Sequence, residues 1–328
     1  MGRSSAGETS LLQRRNRANA WLAERREQAQ GGGRAADKIL YCRTRFFDLT
    51  FALDALADTP TRDPHALMHL YADRILAARA MALELVAALP SGESGTTRGE
   101  NDPRLRIALV GDAALARRLA AEWTGTELQG LSVRSRAGPI SFVLLQGTGT
   151  LRKDASLHRL VVHQTAHAYL AAHSPGGTWS DSSYGWLEEG IAHVCEQELA
   201  GGICEHYCYL GQAQPPRLYF GGRWRPAARQ LLEAGRIAPM PVLIGRSAAD
   251  LDFTQHVGCF ALVDWLRTRA SPPVTPRAVE ERTPLRELWS AAKANRPPAA
   301  ALHAALGVDA EVADREFLSW IRTTYPQR

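Results

Sequence analysis

The stretch Leu157-His158-Arg159-Leu160-Val161-Val162-His163-Gln164-Thr165-Ala166-His167 constrains this chain more than any other part of it. On an α-helix, four residues overshoot one turn by about 40°, so the imidazoles of His163 and His167 project from one face and can address a single metal ion. The helix that carries them is expected to begin near Asp154 or Ser156, either of which can cap it. It ends before Ser174-Pro175-Gly176-Gly177. A pair of imidazoles is half a metal site, and a folded body has to supply the remainder. The 328 residues, 45% hydrophobic and 22% charged, are enough to bury a core as one large domain or two modest ones.

The flanking sequence predicts an α+β fold in which strands precede the histidine helix and helices follow it. Residues 39–50 read as a first strand, and Asp63-Pro64 opens a long helix with proline at its first position and Leu67, Leu70, Ile75, Ala78, Met81, Leu85 and Val86 near helical spacing. Pro90 to Asp102 reads as an exposed loop. Arg106 to Gly111 followed by Ala113 to Trp123 reads as strand then helix. Leu131 to Ser135 and Ile140 to Gln146, separated by Gly138-Pro139, read as a strand pair. A second motif helix is expected from about Gly185 to a break at Gly201-Gly202. Five helices follow, over 227–234, 253–268, 284–295, 299–306 and 309–323. The expected organisation is a mobile or loosely docked basic arm over 1–37 and one domain over 38–328. Within that domain, 38–155 is mainly sheet and helix, 156–200 holds the metal-site helices, and 201–328 is a helical subdomain.

A catalytic zinc takes three protein ligands and leaves one position open. Glu189, 22 positions after His167 on the second helix, is the candidate third ligand. Gly190 beside it would let that helix approach the histidine helix closely, and Trp186 and Leu187 would bury its start. The pattern His163-x-x-x-His167 with Trp186-Leu187-x-Glu189-Gly190-Ile191-Ala192 resembles the gluzincin group of HExxH metallopeptidases. More narrowly, it is similar to a bacterial peptidase-like family of that group, whose later helix starts Tyr-x-Gln where this chain has Phe253-Thr254-Gln255. The likeness covers roughly residues 104–323, with 157–192 its specific part. It implies a zincin-like fold with Zn²⁺ on His163, His167 and Glu189. It also implies a cleft between a sheet-bearing and a helical half, and a peptide or protein bound along the strand Ile140 to Gln146 as an edge.

The departures from that pattern bear on activity. Where the motif has a glutamate as general base this chain has Gln164, which is neutral at all pH values and accepts no proton. Glu188 is the candidate substitute base, although consecutive helix residues differ by about 100° in direction. Phe253 stands where the related family has a tyrosine. Three readings follow: an impaired peptidase that keeps its metal, an active metal-dependent hydrolase using another base, or an enzyme disarmed by a glutamate-to-glutamine replacement. A non-catalytic scaffold that binds a peptide or protein is the reading from another class. His193, four after Glu189, and His256 are candidates to orient a metal ligand or to serve as alternative ligands. Cys195, Cys204, His206 and Cys208 match no paired CxxC spacing and read as structural.

Other classes are excluded on composition. No apolar run reaches about 18 residues, so nothing is expected to span a membrane. The N-terminal stretch has no apolar h-region, which predicts a cytoplasmic location. Five scattered cysteines fit free thiols in a reducing compartment. The net charge of +5 comes largely from residues 11–34, where six arginines face two glutamates, so no basic nucleic-acid face is expected. Gly111-Asp112 opens no dinucleotide-binding glycine run.

Overall fold

A computed structural model describes residues 39–86, 104–128, 132–134, 140–146, 149–174, 182–204, 219–269 and 283–327. The expectations for the 1–37 arm, the 90–102 loop, His206 and Cys208 lie outside them. The fold is α+β. Five strands, β1 (Leu40–Arg43), β2 (Phe47–Ala52), β3 (Leu105–Val110), β4 (Ser132–Arg134) and β5 (Ser141–Leu145), form one sheet in the order β1-β2-β3-β5-β4. The inner pairs β2–β3 and β3–β5 are parallel, while β1 and β4 lie antiparallel at the two edges. The single strand expected over 39–50 is in fact the antiparallel pair β1–β2. β5 is not an edge, as expected of the strand Ile140 to Gln146, because β4 covers it.

The sheet is apolar on both faces, which the parallel inner strands require. One face presents Leu49, Phe51, Ile107, Leu109, Phe142 and Leu144 to α1 (Pro64–Leu85) and to α3 (Asp154–Ala172). The other presents Ala108, Val110 and Val143 to Leu115, Leu119 and Trp123 of α2 (Ala113–Thr124). Asp63 caps α1 as its sequence suggests, its carboxylate accepting from the amides of His65 and Ala66. Beyond the sheet lie α4 (Gly185–Leu199), α5 (Trp224–Glu233), α6 (Met240–Leu243), α7 (Phe253–Leu266), α8 (Pro284–Lys293), α9 (Pro298–Leu306) and α10 (Ala310–Thr324). Together with one side of α3 they enclose a second core that includes Trp186, Trp224, Phe260, Trp265 and Phe317. No helix among the described residues is long and apolar enough to cross a membrane.

Helix α3 serves both cores. Leu157, Leu160, Val161, Ala168 and Tyr169 pack toward the sheet, and Val162, Ala166 and Leu170 pack into the helical half. A helix apolar all round is a central helix. Polar side chains on α3 are therefore buried, and each needs a partner. Asp154 shows the rule at the N-terminus. The helix is capped from Lys153 with no side-chain bond, so neither Asp154 nor Ser156 is the cap. Asp154 instead takes a bidentate bond from Arg74 of α1, at 2.7 Å to each oxygen, and a 3.0 Å bond from the Tyr71 hydroxyl. These bonds tie the active helix to α1.

Burial pushes the Asp154 carboxyl up, but the Arg74 and Tyr71 bonds outweigh it and leave its pKa below the ordinary value. A depressed folded pKa gives stability that is full above the unfolded value, near pH 4, and is lost as pH falls through the folded one. Asp154→Asn should therefore lower unfolding stability by about 2 kcal/mol at pH 7. The gap to the unmodified chain should close as denaturation is repeated at progressively lower pH. An unchanged denaturation midpoint at pH 7 would contradict the role given to this pair.

Candidate metal centre

Four histidines and three glutamates from three helices converge between the two cores. Helix α3 supplies His163 and His167, α4 supplies Glu188, Glu189, His193 and Glu196, and α7 supplies His256. All seven are at most 1% exposed. Their convergence depends on Gly190. A Cβ there would lie 2.5 Å from Val263 Cγ2 and 2.6 Å from the Cys259 carbonyl oxygen, so only glycine lets α4 lie this close to α7. α4 packs on the histidine helix as expected, but the side chain missing at Gly190 faces α7, and that approach brings His256 beside His193.

The expected triad is assembled. His163 Nε2 and His167 Nε2 are 3.2 Å apart. Glu189 places Oε1 3.3 Å from His167 Nε2 and Oε2 3.7 Å from His163 Nε2. A tetrahedral site with bonds of about 2.0–2.1 Å has ligand-to-ligand edges of about 3.3–3.4 Å, so these three side chains are placed where they could hold one divalent ion. The Glu189 carboxylate is wholly buried, and neither oxygen has a hydrogen-bond partner among the described residues; the contact to His167 lacks hydrogen-bond alignment. An ionised carboxylate so placed calls for a cation.

A second layer of carboxylates orients the imidazoles. Glu188 Oε1 lies 2.6 Å from His167 Nδ1 and 3.3 Å from Arg134 Nη1 on β4. It therefore sits at the ring nitrogen opposite the one that faces Glu189, and it is not placed to act as the substitute base. Glu196 Oε2 lies 3.4 Å from the Nδ1 atoms of both His163 and His193, leaving both Nε2 atoms turned toward Glu189. His193 Nε2 and His256 Nδ1 are 3.2 Å apart.

The electrostatics keep donors available. Burial pushes both Glu188 and Glu189 up, but for Glu188 the bond from His167 wins, and for Glu189 the surrounding imidazoles, His167 foremost, win. Glu188 ends below the carboxylate range and Glu189 well below it. Burial pushes His193 down to about 4 and His256 down to about 3, so both imidazoles are neutral at pH 7, as a metal ligand must be. Gln164 is 6% exposed, and its Oε1 has no hydrogen-bond partner among the described residues.

Glu196, Arg134 and Trp224 were not singled out from sequence as parts of a site. For Glu196 a signal exists, since Glu189, His193 and Glu196 follow at i, i+4 and i+7 along one helix face. Arg134 gives no such signal, because it reaches Glu188 from 54 positions away. Trp224 begins α5 and packs its ring 4.3 Å from that of His193. Cys195, Cys204 and Cys259 are buried thiols held protonated chiefly by burial, and no cysteine joins a metal-holding group among the described residues. His158 is half-buried, with its pKa pushed down to about 4 by burial first and Arg74 second.

No protein-family model matches the chain, and no curated protein matches it either. The site itself makes a quantitative prediction. Partners of this kind, bound to the far nitrogen of a ligating imidazole, typically contribute 10–100-fold in metal affinity. Glu188→Ala should weaken Zn²⁺ or Co²⁺ binding by about that factor in a chelator competition assay. Unaltered affinity would show that His167 needs no such support.

Proposed function

We propose that this chain is a zinc-binding, metallopeptidase-like protein that holds its metal on His163, His167 and Glu189 and lacks the general base of the working enzymes. The observation that carries this reading is Glu189, a wholly buried carboxylate without a hydrogen-bond donor among the described residues, set 3.3 and 3.7 Å from the paired His167 and His163 nitrogens. Imidazole and carboxylate donors suit zinc, and the resemblance of 157–192 to the gluzincin group favours zinc over other ions that accept the same donors. When bound, zinc polarises a carbonyl and lowers the pKa of its water to about 7.

The chain's own residues account for the rest of the reading. His163 and His167 bind through Nε2, with Glu188 hydrogen-bonded to His167 Nδ1 and Glu196 Oε2 lying 3.4 Å from His163 Nδ1. In the HExxH pattern the residue after the first histidine takes the water's proton, and an amide at that position can orient a polar group but cannot take up the proton. Glu188 offers no replacement while it is held by His167 and Arg134. Phe253 packs edge-on against Trp224, with ring centroids 5.9 Å apart, and brings no hydroxyl there. A peptide or protein substrate, or a ligand of the same chemistry, is the partner this reading implies.

One observation favours a non-catalytic use of the same metal. The three ligands are at most 1% exposed, which is how a structural site is closed, whereas a catalytic one keeps a coordination position open. Both readings predict little hydrolysis by the unmodified chain.

The test is Gln164→Glu, assayed against an unstructured protein with and without chelator. The variant is expected to gain chelator-sensitive cleavage by about 10²-fold or more over the unmodified chain. An unmodified chain that already cleaves in a metal-dependent way, with a glutamate variant no faster, would overturn the impaired-peptidase reading.

A further inference from the structure

The triad of His163, His167 and Glu189 leaves a second imidazole pair in the same buried cluster without a role. His193 Nε2 and His256 Nδ1 lie 3.2 Å apart, and each is 3.7 Å from Glu189 Oε2. The first pair shows nearly the same pattern, with 3.2 Å between nitrogens and 3.3 and 3.7 Å to the Glu189 oxygens. Glu189 thus faces both imidazole pairs, His167 through Oε1 and His163, His193 and His256 through Oε2, and neither of its oxygens has a hydrogen-bond partner among the described residues. Carboxylates placed between two sets of nitrogen donors are the usual bridging ligands of two-metal sites.

We infer that Glu189 bridges two divalent metal ions, the first held by His163 and His167 and the second by His193 and His256. This rests on the first triad being a metal site and adds a second ion to it. Glu196 links the two pairs, because its Oε2 hydrogen-bonds to His193 Nδ1 and lies 3.4 Å from His163 Nδ1 as well. Trp224 covers the outer side of the second site by packing against the His193 ring. Gly190 is required for it, since the α4–α7 approach that it permits is what sets His256 beside His193.

Charge sets the order of loading. A second divalent ion enters beside the charge of the first and binds more weakly, so the centre fills in two steps. Imidazole and carboxylate donors accept zinc, cobalt, iron or manganese, and zinc is the probe for the test.

Full-length protein is stripped of metal, equilibrated with Zn²⁺, desalted and analysed by inductively coupled plasma mass spectrometry, with isothermal titration to resolve the steps. The expected ratio is about two ions per chain in two steps of unequal affinity. His256→Ala is expected to keep the tight ion and lose the weak one, and circular dichroism verifies that the variant is folded. A ratio of one for the unmodified chain, abolished by His163→Ala, would overturn the bridge and leave the first site standing. A ratio near zero would overturn both, and two ions retained by His256→Ala would overturn the second ligand set. The stoichiometry of the unmodified chain decides the matter even where a variant fails to fold.

Discussion

A carboxylate buried between two hydrophobic cores is unstable unless something positive or hydrogen-bonding meets it, and among the described residues Glu189 is met by imidazoles. Isolating an ionised carboxylate in a low-dielectric interior costs many kcal/mol, so a chain that keeps one fully buried must supply compensation. Glu189 has His163, His167, His193 and His256 within 3.7 Å of its oxygens and no hydrogen-bond partner among the described residues. His193 and His256 are neutral at pH 7, so those two rings offer lone pairs to an ion and bring no charge of their own. The rest of the centre follows from that arrangement, with Glu188 and Glu196 steering the rings and Arg134 balancing Glu188.

The scaffold explains why three helices can hold these groups still. α3 is buried on its sheet side by the Phe47, Leu49 and Phe142 cluster and on its other side by Trp186 and its neighbours, so His163 and His167 sit on a helix with no freedom to swing outward. Asp154 locks the start of that helix to Arg74 and Tyr71 of α1. α4 is then fixed against α7 by the missing side chain at Gly190. Ligands carried on rigid elements and braced by a second layer of bonds are what a metal site needs for defined geometry.

Much of this was readable from the chain. The spacing of His163 and His167 alone placed two imidazoles on one helix face, Asp63-Pro64 marked the start of α1, and the strands-then-helices order followed from local periodicity and turn residues. What stayed hidden depends on contacts distant in sequence. The neighbour against which Gly190 is spared a side chain is a property of packing, and it proved to be α7. Glu188 looked like a spare base because its partner Arg134 lies on a three-residue edge strand that carries no motif. Asp154 looked like a helix cap because caps are local, while the Arg74 bond that claims it comes from 80 residues away. From sequence His256 is a candidate supporting residue or alternative ligand, and nothing in the sequence of α7 says that it faces His193.

The decisive measurement is anomalous diffraction at the zinc absorption edge from crystals of the protein grown with Zn²⁺. A peak is predicted about 2.0–2.2 Å from His163 Nε2, His167 Nε2 and a Glu189 oxygen. Well-ordered side chains in this cluster with no anomalous peak among them, while zinc is bound elsewhere on the surface, would contradict the assignment of these residues as a metal centre.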